Sequence, residues 1–295
     1  MAELFTLHDE PSLHEPVLVL GLDGWIDAGF GAAGATAHLL EVLDTEVVAT
    51  FDTDALVDHR SRRPVMHLEE GVNTGLTWPS TELRHALDLD GNDLLLLTGA
   101  EPDVRWRGFA AAVVDLAQRF GSRLVVGFGA YPAPVPHTRP GRLATTATSS
   151  ELAQRAGQVR ATLDVPAGAQ AAIEERCADG GLPAVGLWAQ VPHYASGMAY
   201  PLASAMLVDG LAEVGGLRID STALHEAGAL LRNRLDELVS ENPEHLEMVR
   251  RLEAALDAEH DARPGLGTPG EMPSGDELAA ELEQFLRDRG PGREG

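Results

Sequence analysis

Two Val-Pro-His tripeptides, Val135-Pro136-His137 and Val191-Pro192-His193, each follow an apolar run of strand character. If both runs end at one sheet edge, the two imidazoles would flank a single cleft. Neighbouring groups at hydrogen-bond distance would then allow general acid–base chemistry. Arg139 and Tyr194 lie beside them in the same loops. A structural reading competes, in which proline shapes each turn and histidine satisfies buried backbone groups. A second group of candidates sits in Gly21-Leu22-Asp23-Gly24-Trp25-Ile26-Asp27-Ala28, after the first predicted strand, where open α/β sheets place their ligand crevices. Asp23 and Asp27 could hold a ribose, a cation or a basic partner group, and Trp25 could stack on a base. The bland alternative has Asp27 capping a helix and Trp25 filling core. A third loop, Thr98-Gly99-Ala100-Glu101-Pro102, brings Glu101 to the same edge and leads into Arg105-Trp106-Arg107.

Other motifs point away from well-known chemistries. Gly29-Phe30-Gly31-Ala32-Ala33-Gly34 matches G-x-G-x-x-G, and Asp52 follows at about the distance used for ribose recognition. The spacing argues against a dinucleotide site, because the first strand ends at Gly21 and Leu22 to Ala28 intervene. That places the three glycines inside a helix, where missing side chains permit close helix–sheet packing. The chain contains no lysine, so its 22 basic residues are all arginine. This excludes a Walker-type phosphate loop and any Schiff-base or pyridoxal mechanism that needs an enzyme lysine. There is no G-x-S-x-G elbow, H-E-x-x-H helix or EF-hand loop. The single cysteine, Cys177, excludes an intramolecular disulfide and a Cys-only zinc site. It reads as a small buried residue of a helix over Ala169 to Ala178. No metal site and no cofactor is expected.

The elements that must position these residues follow from apolar periodicity. Strands are predicted at Val17–Leu20, Glu46–Phe51, Asp93–Thr98, Arg123–Phe128 and Pro183–Val191. Helices are predicted with apolar stripes on Ile26, Phe30, Ala33, Ala37 and Leu40, over Val104–Phe120, and over Leu202–Val214. The alternation implies βαβ units and a mainly parallel sheet covered on both faces. Arg60 to Pro79 reads as an antiparallel excursion or a surface loop, and Thr145 to Thr162 takes no assignment. Leu224, Ala227, Leu231, Leu235 and Leu238 stripe one further helix, and Leu246, Val249, Leu252 and Leu256 another. Arg263 to Gly275 is a Pro/Gly-rich linker, and capping-box spacing at Ser274 to Glu277 opens a last short helix. This divides the chain into an α/β domain over residues 1–220 and a helical extension over 221–295, with the linker near 261–275.

Composition bounds the partners. Hydrophobic residues are 44% of the 295, an ordinary globular share, and no apolar stretch approaches the roughly 20 residues that cross a bilayer. The 46 acidic residues against 22 basic ones give a formal net charge of −24. Such a surface repels phosphate backbones and anionic lipid, so neither nucleic acid nor membrane is expected as a partner. The N-terminal segment has no basic region of a secretory signal, and the expected location is cytoplasmic.

The order GLDGWIDAG, LLLLTGAEPDVRW, VVGFGAYPAPVPHTRP, GLWAQVPHY and YPLASAMLVDGL resembles the proteasome assembly chaperone 2 family, in its bacterial branch from organisms of high GC content. The resemblance spans about Val17 to Asp220 and continues into MPSGDELAAELEQFLRD. It implies an α/β three-layer sandwich, with a central, mainly parallel or mixed sheet of phosphorylase-like form and a C-terminal helical extension. It also implies a homo-oligomer that engages proteasome subunits. Chaperones of this type often dock through a C-terminal hydrophobic-tyrosine-any tripeptide, whereas this sequence ends Gly290-Pro291-Gly292-Arg293-Glu294-Gly295.

Three functions follow as expectations. The first is a non-enzymatic, self-associating assembly factor. The second is a binding protein or enzyme for a nucleoside-like ligand at the strand-end cleft, using Asp23, Trp25, Arg105, His137 and His193. The third is an ATP-dependent carboxylate–amine ligase, disfavoured by the absence of lysine and of a phosphate loop.

Overall fold

The computed structural model describes residues 4–155 and 164–261. Its elements run β1 (Phe5–Leu7), β2 (Val17–Asp23), α1 (Gly31–Val42), β3 (Glu46–Phe51), α2 (Thr53–Leu56), β4 (Val65–Glu69), β5 (Val72–Thr77), β6 (Thr81–Leu87), β7 (Asp93–Ala100), α3 (Trp106–Arg119), β8 (Leu124–Ala133), β9 (Leu143–Ala147), α4 (Ser150–Arg155), α5 (Ala169–Asp179), β10 (Ala184–Pro192), α6 (Pro201–Gly215), α7 (Thr222–Ser240) and α8 (Pro243–Asp261). By internal contacts the chain forms two compact units, Met1–Glu253 and Ala254–Gly295. The predicted linker and last helix lie outside the described residues.

Eight strands form one sheet in the order β1-β3-β6-β7-β2-β8-β10-β9. The block β7-β2-β8-β10 is parallel, and antiparallel strands flank it on both sides, so the sheet is mixed. Apolar runs in the parallel block are explained by helices on both faces. Val17, Val19, Leu94, Leu96 and Val126 face α1 and α6, while Leu18, Leu20, Leu95, Leu97 and Val125 face α3 and α5. This is the expected α/β sandwich. At β7 the chain turns on Gly99, whose φ of +108° and whose approach to the Ser80 carbonyl admit no Cβ.

The central strand β2 sits between β7 and β8, and its neighbours leave the sheet in different directions. After β2 the chain passes to α1 on one face; after β8 it passes through β9 to α5 on the other. Divergence of this kind leaves a crevice beyond the carboxyl ends of the two strands.

Several local expectations change. Gly29 precedes α1 with φ of +64°, and Gly31 is the first residue of the helix. Only Gly34 of the three lies well inside it. The packing role still holds for Gly31 and Gly34. A Cβ on Gly31 would lie 2.9 Å from the Cβ atoms of Ala130 and Ala203, and one on Gly34 would lie 2.4 Å from Ser204 Oγ. Arg60 to Pro79 contains the β4–β5 hairpin, closed by Glu70 and Gly71, both at positive φ, the signature of a type I′ turn. It pairs with no other strand of the described residues. Helix α7 packs on α6 at Gly228, where a Cβ would be 3.3 Å from Leu202. Leu235 and Val239 are buried, and Leu238, expected on the packed stripe, faces solvent.

Candidate functional site

The crevice between β2 and β8 holds a cavity of about 150 Å³. Its walls include Trp25, Glu101, Phe128, Gln170, Glu174 and Trp188. Strand alternation builds the floor: Gly127 and Gly129 on β8 face α5, and so do their register partners Gly186 and Trp188 on β10. A Cβ on Gly129 would strike the Trp188 ring at 2.3 Å, and one on Gly127 would strike the Gln170 amide at 2.3 Å. Glycine therefore lets the indole and the amide lie flat on the sheet. Helix α5 supplies Gln170 and Glu174 at i,i+4 spacing, one above the other on the face over this floor.

Polar contacts fix the walls. Glu101 is nearly buried, and its Oε1 accepts the Ala169 amide N–H at 2.6 Å, at the first turn of α5. The Thr146 hydroxyl donates to Glu174 at 2.8 Å and accepts a long contact from the Trp188 indole N–H at 3.4 Å. Burial pushes the Glu174 carboxyl up, and the Thr146 hydrogen bond offsets this in part. Gln170 Nε2 is buried without a hydrogen-bond partner. No arginine or histidine is among the lining residues, so the cavity offers no charged partner to a phosphate. Its volume also falls below the roughly 300–1,000 Å³ of ordinary small-molecule sites, which leaves no room for a whole nucleoside.

The sequence candidates divide between several places. Trp25 is 55% exposed and borders the cavity, so it does not fill core. Asp27 caps α1, accepting the Ala32 and Ala33 amides at 2.8 and 2.9 Å with its two oxygens. Burial nevertheless raises its pKa, against hydrogen bonds from Ala33, Ala32 and Gly31 and with the Asp23 charge adding. Asp23 closes β2; burial raises its carboxyl too, and Arg62 partly offsets it. Arg105 stands apart as the left-handed residue preceding α3, and Trp106 donates its indole N–H to the Pro102 carbonyl at 2.6 Å.

The two Val-Pro-His segments do meet, around Tyr194. His137 is 1% exposed. The Tyr194 hydroxyl accepts the His137 amide N–H at 2.9 Å and lies 2.6 Å from Nδ1, while Nε2 lies 3.1 Å from Asp236 Oδ1. The Asp236 carboxylate only accepts, so in the neutral ring Nε2–H donates to it, and Nδ1 accepts from the Tyr194 hydroxyl. Burial lowers the His137 pKa, and Asp236 opposes the shift. The His193 ring is exposed and only packs edge-on against Tyr194 at 5.3 Å. Nearby, Arg139 pairs with Glu253 at 3.1 Å. The imidazoles thus perform separate tasks, one closing a buried network and one lying at the surface.

Glu174, Trp188, Thr146 and Gln170 were not among the sequence candidates. The alternation Gly127, Gly129 and Gly186 was the only signal for a vacated sheet face. Among the described residues, no group of three or more His, Cys, Asp or Glu side chains could hold a metal ion.

Comparison with known proteins adds a lineage to this geometry. Residues 21–239 match the PAC2 family. The chain belongs to that family. A Mycobacterium tuberculosis protein of unknown function is 37% identical with a TM-score of 0.81, covering 89% of this chain and 91% of its own. A Corynebacterium glutamicum protein of unknown function is 31% identical with a TM-score of 0.83, over 88% and 99%. A Mycobacterium tuberculosis proteasome-assembly chaperone homologue is 30% identical with a TM-score of 0.73, over 79% and 99%. No curated protein matches the chain.

Proposed function

We propose that this PAC2 protein is a cytoplasmic, non-enzymatic, self-associating assembly factor that acts on proteasome subunits. The observation that carries the reading is the β4–β5 hairpin. Val65, Met66, Leu68, Val72, Leu76 and Trp78 are all exposed there, clustered on one short ribbon. An apolar patch of this kind on an acidic protein marks an interaction surface. A two-stranded ribbon is also marginal in water unless something covers it.

A second copy of the chain is the occupant this surface fits. The segment 60–78 carries Arg60, Arg62 and Arg63 against Glu69 and Glu70, while the whole chain carries −24. The ribbon itself, Val65–Thr77, carries Glu69 and Glu70 and no arginine, and Arg62 is engaged with Asp103, so a second copy would be held through the apolar side chains rather than by charge. The proteasome partner rests on the Mycobacterium tuberculosis relative named a proteasome-assembly chaperone homologue. Among the described residues no helix is long and apolar enough to cross a membrane. The test of the partner is capture of purified proteasome α subunits by the tagged chain. Stoichiometric retention is the expected result, and retention no greater than that of an unrelated acidic protein would overturn it.

A further inference from the structure

The strand-end cavity has walls whose chemistry points to one class of ligand. Three carboxylates line it, and each is met by neutral donors: Asp27 by the Ala32 and Ala33 amides at the start of α1, Glu101 by the Ala169 amide and Glu174 by the Thr146 hydroxyl. None of the three finds an arginine or histidine among the lining residues. Two indoles border the same space. A Cβ on Gly168 would lie 3.2 Å from Trp25 Cδ1 and 3.0 Å from Glu101 Oε1, so ring and carboxylate share that wall. On the opposite strand, Trp188, Thr146 and Glu174 form the linked chain of contacts described above. The unpartnered amide of Gln170 lies between them over Gly127 and Gly186.

We propose that this cavity binds a small organic ammonium ion, its charge facing Glu101 and Glu174, its alkyl groups against Trp25 and Trp188, and one oxygen on the ligand accepting from Gln170. Indole faces and buried carboxylates attract an alkylated ammonium without the multiple ligands a metal requires. The cavity of about 150 Å³ matches the size that holds a benzene-sized molecule. A choline-sized amino alcohol fits that volume, and a nucleoside does not. A free amine and the lysine ammonium of a partner protein share this chemistry; a second copy of the chain supplies no lysine. The inference is independent of the assembly role, and either can fail alone.

The test titrates the full chain with choline, with its neutral isostere 3,3-dimethylbutan-1-ol, and with Nα-acetyl-lysine methylamide, read by calorimetry and tryptophan fluorescence. Choline is expected to bind at least about tenfold more tightly than the isostere. Glu174→Gln, which keeps the side chain's shape, is expected to weaken choline by about tenfold while leaving the isostere unchanged. Tighter binding of the lysine derivative than of choline would support the same site and assign its ligand to a partner's side chain. Equal binding of choline and the isostere would overturn the proposal. So would the absence of any response to both cations up to about 10 mM, a concentration that detects even very weak sites.

Discussion

Strand β7 and the β4–β5 hairpin spend similar residues in opposite ways. Leu94 to Leu97 are wholly enclosed between helices, whereas Val65, Met66, Leu68 and Val72 on the hairpin are each more than half exposed. Burial of an aliphatic side chain stabilises a fold by roughly 1.5–3 kcal/mol, and exposure forfeits that gain. Apolar residues in the first region therefore specify the fold. In the second they have no fold to stabilise within one chain, and their gain comes only when another surface covers them.

The comparison can be broken most easily in the core. Leu96→Ala is expected to cost about 3 kcal/mol, through lost burial and a residual cavity, and urea denaturation measures it. A loss under about 1 kcal/mol would mean that the sheet is not the close-packed region described. Next in size is the closed polar network. His137→Ala is expected to cost about 2 kcal/mol by removing a buried ring and leaving the Tyr194 hydroxyl without its Nδ1 acceptor, while the half-exposed Asp236 carboxylate returns to water. His193→Ala, on an exposed ring, should stay within about 0.5 kcal/mol in the same urea denaturation.

Acidification separates the network from the cavity by sign. His137 is held below the ordinary histidine value near 6.5, so the unfolded chain takes its proton first. The stability His137 contributes is complete above that value and is lost as pH falls toward its folded pKa. Glu174 is held above the ordinary carboxylate value, so the folded chain takes its proton first and stability rises as pH falls from its folded pKa toward about 4.5. Relative to the wild type, Glu174→Gln should lose stability between pH 7 and 5, and His137→Gln should gain it. Denaturant unfolding at the two pH values reads both, and equal signs would contradict the assignment. The smallest stability effect is expected on the hairpin. Met66→Asp with Leu76→Asp should change the stability of the isolated chain by no more than about 0.5 kcal/mol, because neither side chain is buried in it.

Much of this contrast was legible in the sequence, and the exceptions have physical reasons. The run Glu46–Phe51 matches β3 residue for residue, and the continuous apolar runs of β2, β7, β8 and β10 announced strands covered on both faces. The parallel block did bring the strand-end loops to one edge. Strands β1, β6 and β9 were not foreseen. The first has three residues, the second carries Glu82 and Arg84, which pair with each other at 2.7 Å, and the third is mostly Thr and Ala. None shows an apolar run, since each depends on its neighbours for its place. Helix α7 docks through Gly228, a contact invisible to a count of large apolar residues.

In the site, the loop residues were found because strand ends can be read locally. Glu174 and Trp188 were missed because their meeting depends on which sheet face α5 covers, a property of topology. Asp27 shows the limit from the other side. The loop allowed both a ligand and a capping reading of this carboxylate, and it caps the helix while also bordering the cavity.

The most direct test of the assembly reading is native mass spectrometry of the wild type and of Met66→Asp/Leu76→Asp, each purified gently from the natural host. The account predicts a wild-type homo-oligomer carrying proteasome subunits, and a folded, monomeric double variant that carries none. A wild-type monomer without proteasome subunits, or a double variant that assembles as the wild type does, would contradict it.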